Sequence, residues 1–492
     1  MEEQDQIVAR RKKLAELEAL GQRRFPNGFQ PCDTAAALLT AHAATSGADL
    51  DATPVPVRIA GRIVAVRDFG KAAFAHVQDR SGRIQVYVRR DEVGSGDFEV
   101  FRLLDLGDFV GIEGRLFRTK TGELSVLAAR VHYLAKALRP PPEKWHGLQD
   151  VELRYRQRYL DLLNPDVQRI FRVRAQVLQG VREFFAQRGY LEVETPMMQQ
   201  IAGGALARPF VTHHNTLDMD LYLRVAPELF LKRLLVGGLE RVFELNRNFR
   251  NEGISTEHNP EFTMLEFYEA YATWEDLLTI TEELISELAR TIVGAVKIPY
   301  GAHEIDLTPP WRRVAVKDAV AQATGLACAE VDDVERLRAV AAARAIALPP
   351  GAPYGKVLAE IFEKTAEAAL VQPTFVVDYP VEISPLARQS DRDPTLVDRF
   401  ELYVAGREIA NGFSELNDPD EQRARFEEQL RARRGGDEEA HAMDEDYVRA
   451  LEHGMPPAAG EGIGIDRLVM LLTNSPSIRD VILFPQLRPE RR

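Results

Sequence analysis

The chain has 492 residues, 45% hydrophobic and 28% charged, with a net charge of −13; that length exceeds one ordinary core and implies two or three domains of water-soluble character. No apolar run is long enough to span a membrane, and the opening MEEQDQIVARRKKLAELEALG lacks the apolar centre of a secretory signal. The negative charge weighs against broad, non-specific nucleic-acid binding, and Cys32 and Cys328 match no metal or redox spacing, which points to a reduced cytoplasmic compartment.

Residues 1–54 read as an N-terminal helical segment. Its first part, with spaced Leu and Ala among charges, predicts a surface helix; the run Arg10–Lys13 is either a local basic patch or a solvated face. Residues 55–138 predict an all-β domain of about five short strands separated by glycine-containing turns, a small barrel of the OB type. In KAAFAHVQD, Phe74, His76 and Gln78 share one face; in GRIQVYV, Ile84, Val86 and Val88 take the core and leave Arg83, Gln85 and Tyr87 outside. Such a face can stack and read single-stranded bases, or it is a soluble barrel with incidental aromatics.

The proline-rich stretch at 139–150 reads as a linker, and 151–492 as a larger α+β domain. There VQRIFRVRAQVLQGVREFFAQRGY predicts an amphipathic helix with Val177, Val181, Phe184 and Phe185 on its stripe, stopped at Gly189. YLEVETP predicts a strand ending at Pro196, and about 274–371 a helical insertion, mostly helical at 274–295 and 331–371, between the strand-rich regions 240–271 and 398–415. Residues 241–270 predict an antiparallel hairpin. Period two puts Arg250 and Glu252 on one face with Phe262, Glu266 and Tyr268, and GISTEHN in the connecting loop with His258. Either this is an edge hairpin with one wet face, or a nucleotide site in which a guanidinium holds phosphate and Phe262 stacks a base. DRFELYVAGREIANGFSELND predicts a second hairpin turning at Ala405-Gly406, with Tyr403 facing Glu408 and Glu401 on the same face, a pair able to hold Mg²⁺ on a triphosphate. A bulge near Gly412 is required to bring Asn411, Phe413 and Glu415 to that face. In GEGIGIDR, Gly460, Gly462 and Gly464 clear one face of a strand for a ligand, and a helix starts near Asp466 with Arg467 in its first turn.

GYLEVETPMM, FRNEGIS with HNPEFT, and GIGIDR together resemble the three motifs of the class II aminoacyl-tRNA synthetases. RVAPELFLK and REIANGFSELND resemble the bacterial lysine branch more than the aspartate and asparagine branches. The resemblance runs from about residue 55 to the end. It implies an antiparallel catalytic sheet of six strands flanked by helices, an OB-fold anticodon-binding domain and a homodimer, with ATP, L-lysine and tRNA(Lys) as partners, Mg²⁺ as cofactor, and no membrane or DNA. It further implies Arg250 and Arg467 as catalytic residues, and an ATP site of Arg250, Glu252, His258, Asn259, Phe262, Glu408, Ile409, Gly464 and Arg467. Gly204, Glu228, Glu266, Tyr268, Asn411 and Glu415 would surround lysine, Glu401 and Glu408 would hold the metal, and Phe74, Gln85 and Glu123 would contact the anticodon. The pattern departs at Glu257 and Glu461, where the family carries arginine and leucine; Glu461 adds a carboxylate to a strand flank with Ile463 and Ile465 and must be paired or near the surface. Two rivals are a lysyl transferase acting on protein, whose known form lacks the barrel, and a non-catalytic nucleic-acid binder, against which the intact Arg250, Glu408 and Arg467 speak.

Overall fold

The computed structural model describes residues 3–141, 148–205, 207–434 and 442–490; the middle of the expected linker, 142–147, lies outside them. The chain divides into two compact units, Met1–Leu148 and Gln149–Arg492.

In the first unit, β1 (Pro56–Asp68), β2 (Ala72–Gln78), β3 (Arg83–Arg89), β4 (Phe109–Arg118) and β5 (Leu124–Ala135) close a barrel in the order β1-β2-β3-β5-β4. Along β2 and β3 every second residue is buried, so Phe74, Gln85 and Tyr87 face outward as the alternation predicts. The helix Glu3–Ala19 and the short helices after it join the same core, through Leu14, Leu17, Ala35, Leu38 and Leu50. Of the basic run, Arg10 turns inward and donates to Leu106 O at 3.1 Å and Ala137 O at 2.7 Å, and Lys13 meets Asp105 at 2.6 Å. Arg11 and Lys12 stay exposed.

The second unit is built on an eight-stranded sheet. Its strands are β6 (Leu191–Glu192), β10 (Arg241–Phe249), β11 (Glu261–Ala270), β14 (Arg312–Ala315), β15 (Thr374–Pro380), β16 (Leu396–Val404), β17 (Arg407–Ser414) and β18 (Ala458–Gly464). The order is β14-β15-β16-β17-β18-β11-β10-β6; the inner six are antiparallel, and β14 and β6 are added parallel at the edges. Three short strands, β7 (Met198–Gln199), β8 (Phe210–His214) and β9 (Met219–Leu223), make a separate small sheet, and β12 (Lys297–Tyr300) pairs with β13 (His303–Asp306). The helix Pro165–Gln187 is capped by the Asn164 side chain, buries Val177, Val181, Phe184 and Phe185, and ends before Gly189, whose φ of +76° favours glycine. No helix among the described residues is long and apolar enough to cross a membrane.

Two element expectations need correction. YLEVETP supplies only the two paired residues of β6, because the chain then leaves the sheet toward Pro196. Within the insertion, 274–295 and 331–371 are mostly helical as expected, but the stretch between them holds β12, β13 and β14, each only four residues long and too short for period two to stand out. The helix Trp274–Leu288 packs against β16, β17 and β18, while Val316–Thr324, Val334–Ala343 and Tyr354–Thr365 build a second core with Val376 and Tyr379.

That packing buries Glu461, 2% exposed, on the core face of β18 beside Ala459 and Ile463. Thr281 Oγ1 lies 2.7 Å from both its carboxyl oxygens and 2.8 Å from Leu277 O. The threonine hydroxyl has one proton, so both contacts are satisfied when Thr281 donates to Leu277 O and a protonated Glu461 donates to Thr281. Burial pushes the Glu461 carboxyl up to about 8. In the unfolded chain a glutamate titrates near about 4.3. The stabilisation from this neutral carboxyl is therefore complete below that value and is lost as pH rises through the folded value. Glu461→Gln, which keeps a donor to Thr281, should flatten the loss of stability between pH ~5 and ~8 in denaturant titrations; an unchanged pH slope would show that Glu461 is already ionised in the fold.

Candidate functional site

β10 and β11 pair with Val242 opposite Tyr268, Glu244 opposite Glu266, Asn246 opposite Met264 and Asn248 opposite Phe262, which puts these residues on one face as the alternation predicts; Arg250 and Glu252 lie past the end of β10, in the connecting loop. The β11 residues of that face, Phe262, Met264, Glu266 and Tyr268, line a cleft together with residues of β16, β17 and β18. The second hairpin turns through Ala405 and Gly406, with φ of +54° and +69°, and sets Tyr403 opposite Glu408. Its bulge lies at Ile409, where the register passes from Tyr403–Glu408 to Leu402–Ala410, and not at Gly412. The extra residue puts Asn411 opposite Glu401 and Phe413 opposite Arg399, which returns Asn411 and Phe413 to the face of Glu401 and Glu408.

The glycines of β18 clear space, as expected, but at two of them the chain's own side chains fill it. A β-carbon at Gly460 would stand 2.2 Å from the Tyr268 ring and 2.5 Å from Glu415 Oε1, and one at Gly462 would stand 2.2 Å from Met264 Cε. Gly464 is the N-cap of the helix Ile465–Thr473. Asp466 fixes that helix to β11: it accepts from Thr263 N at 2.7 Å and from Arg174 at 2.6 Å.

One end of the cleft is cationic. Arg250 lies 5.0 Å over the Phe262 ring, and its buried Nε has no hydrogen-bond partner. Arg467 donates to Glu408 O at 2.7 Å and stands 3.5 Å from His258 Nε2. Burial, then Arg467, lowers the His258 pKa, so the ring is neutral near neutral pH. Glu252 lines the same end. The Asn259 side chain is engaged with the backbone, donating to Glu261 O at 2.5 Å and accepting from Gln486 N at 3.1 Å, and so anchors the loop. Glu257 pairs with Arg407 at 2.9 Å, and Arg407 bonds the Tyr300 hydroxyl at 2.6 Å, tying the loop at the departure from the family pattern.

Glu401 is oriented by three donors: Tyr379 at 2.7 Å and Tyr403 at 2.6 Å, both on Oε2, and Arg399 on Oε1. A carboxylate has about four lone-pair sites, so one remains on Oε1. Burial, then the nearby Glu401, raises the Glu408 pKa. Two acids that repel in this way suit a divalent cation, and Mg²⁺ is commonly held by one or two carboxylates plus substrate phosphates. No group of three or more metal-ligating side chains occurs among the described residues.

The other end is acidic. Gly204, Glu228, Glu266, Tyr268 and Asn411 line it. Burial, then Glu228 and Glu244, lifts Glu266 well above the ordinary carboxylate range. Glu415 sits behind the wall, 1% exposed, against Lys232. Sequence reasoning missed Lys232 and Arg399. The signal for the first was present in RVAPELFLK, where Glu228 and Lys232 stand one helical turn apart. On the separate barrel, Phe74 and Tyr87 stack at 4.3 Å, with Phe69 and Phe117 extending the row. Gln85 donates to Glu123 at 2.9 Å and accepts from Ser125 at 2.9 Å, which brings the other two expected contacts together.

The sequence profile of class II tRNA synthetases (D, K and N) matches residues 150–488, and that of the OB-fold nucleic-acid-binding domain matches residues 57–134. The chain is 56% identical to the lysine--tRNA ligase of Pelotomaculum thermopropionicum over 98% of its own length and 94% of the relative's. It is 54% identical to that of Carboxydothermus hydrogenoformans, covering 98% of each. Against that of Bacillus subtilis it is 52% identical, over 98% of this chain and 97% of the relative.

Gly460→Ala would drive a methyl into the Tyr268 ring. It should cost about 1–3 kcal/mol in chemical denaturation through overpacking, with ligand binding at the acidic end weakened. Wild-type stability and binding would mean that Tyr268 has room to retreat.

Proposed function

The chain belongs to the class II aminoacyl-tRNA synthetases of the D, K and N group, and we propose that it activates L-lysine with ATP and transfers it to the 3′ end of tRNA(Lys). The observation that carries this reading is one continuous cleft with a cation-lined end and a carboxyl-lined end. A triphosphate requires the first and an amino acid with a cationic side chain the second; an aspartate pocket would require cations at both.

In the first step the lysine carboxylate oxygen attacks the ATP α-phosphorus and pyrophosphate leaves; the attacking group is already ionised and needs no base. Arg250 holds the α-phosphate and stabilises the charge that develops there, while Phe262 stacks the adenine. His258 and Arg467 take the far phosphates, with Glu252, Asn259, Ile409 and Gly464 shaping that end. Gly204, Glu228, Glu266, Tyr268, Asn411 and Glu415 surround the lysine. Glu401 and Glu408 would hold Mg²⁺, whose bound charge offsets that of the phosphates. In the second step a hydroxyl of the terminal tRNA ribose attacks the lysyl-adenylate carbonyl and AMP leaves. Phe74, Gln85 and Glu123 read the anticodon by stacking and edge hydrogen bonds. The enzyme works as a cytoplasmic homodimer, without membrane or DNA partners; supporting the dimer are the exposed Leu191, Met197 and Met198 in the segment that resembles the first class motif.

The direct test is ATP-dependent attachment of labelled lysine to a tRNA(Lys) transcript; failure to charge it would remove the proposal. Arg250→Ala should lower lysine-dependent pyrophosphate exchange by about a hundredfold or more, the scale of one lost transition-state contact, with the fold intact. Near-normal exchange would take Arg250 out of the mechanism. Phe74→Ala should weaken charging by roughly ten- to a hundredfold, since stacking one base is worth about 1–3 kcal/mol, and leave exchange unchanged. Equal losses in both assays would make Phe74 structural.

A further inference from the structure

Behind the acidic end of the cleft lies a cation of the chain's own. Lys232, on the helix Glu228–Val236, is fully buried; its Nζ lies 2.5 Å from Glu228 Oε1 and contacts Glu415 Oε2. The Phe413 ring is 5.3 Å away. Facing the cluster from the neighbouring elements are Tyr268 and Glu266 on β11, Arg399 on β16, and Tyr447 on the helix Glu445–Glu452, which Arg233 also approaches. Glu415 Oε1 has no hydrogen-bond partner, and it packs with the Tyr268 ring over Gly460, a residue of the cleft wall.

We propose that Lys232 is a positioning and specificity-determining residue: it occupies one side of the Glu228–Glu415 pair and leaves that pair with a single unmet negative charge for one substrate ammonium. The inference deepens the reading of this end as the lysine pocket and rests on it. With both carboxylates ionised, they and the ammonium sum to −1, which a lysine side chain cancels and a neutral side chain leaves buried and unpaired. Lys232 itself stays charged, because Glu228 and Glu415 outweigh the burial that opposes it. Burial raises both carboxyls, Glu415 to about 8 even with the coulombic pull of Lys232, so lysine displaces a proton when the pair takes its ammonium. Without Lys232 the two acids would repel, share a proton more tightly and lose their common orientation. Lysine would then have to expel that proton to be held by both.

The test is lysine-dependent pyrophosphate exchange from pH 6 to 9 with wild type, Lys232→Met and Lys232→Arg. In Lys232→Met the acidic limb of kcat/KM for lysine should move up by about one pH unit, with a roughly tenfold fall at pH 7, since one unit is a factor of ten. The KM for ATP should stay unchanged, and Lys232→Arg should keep the wild-type limb. An unmoved limb, with lysine and ATP parameters falling together, would overturn the inference and make Lys232 structural. Should Lys232→Met not fold, Lys232→Gln, which keeps a donor to the two acids without the charge, should show the same one-unit rise of the limb, and an unmoved limb there would equally overturn the inference. Wild-type exchange that prefers another amino acid overturns the pocket reading, and this inference with it. Lysine-dependent wild-type exchange with an unmoved limb overturns only the role of Lys232.

Discussion

β18 runs between β11 and β17, with Gly460 and Gly462 where side chains would otherwise enter the cleft. The consequence is close packing across a bare strand. The Tyr268 ring and Glu415 come in over Gly460, and Met264 over Gly462, so that side chains of two non-adjacent strands share one floor. The strand then turns at Gly464 into a helix whose first turn carries Asp466 and Arg467. Asp466 locks that turn to Thr263 N and Arg174, which leaves Arg467 beside Glu408 and His258. The acidic and cationic ends are thus spaced by one strand of backbone.

Charge within this floor is arranged in pairs. Glu228 and Glu415 share Lys232, Glu401 holds Arg399, and Glu244 accepts from Arg224 and Thr195. Such buried pairs are weak sources of net stability, but losing one partner leaves a costly uncompensated charge. Their use here is to fix carboxylate orientation where a ligand's own charges must be met. Glu461, on the opposite face of the same strand, shows the contrast: with no cation against it among the described residues, burial raises its pKa to about 8 and it bonds to Thr281 in the core.

The parts legible in the sequence were those set by a strict period. Alternation along 241–270 put Glu266, Tyr268 and Phe262 on one face, and the observed pairs of β10 and β11 agree. The Ala405-Gly406 turn gave the Tyr403–Glu408 pairing. Alternation along the barrel separated Phe74 and Gln85 from the buried Val86 and Val88. What breaks a period was not legible. The bulge was expected at a glycine, yet it falls at Ile409, a residue with no compositional mark. The filling of the glycine face by Tyr268, Glu415 and Met264 depends on which strands flank β18, a long-range fact. Arg399 and Lys232 escaped notice because a lone cation on a strand or helix reads as surface until its partners are known. The four-residue strands inside 274–371 were hidden by the helices around them.

The central claim is that the acidic end of the cleft takes lysine while the cationic end takes ATP. The most direct measurement is ATP–pyrophosphate exchange by the purified chain with lysine, aspartate and asparagine supplied one at a time and no tRNA present. Exchange should depend on lysine, with the two acceptors of the related branches giving only background. Faster exchange with aspartate or asparagine than with lysine would contradict the assignment of Glu228, Glu266 and Glu415 to a cationic substrate.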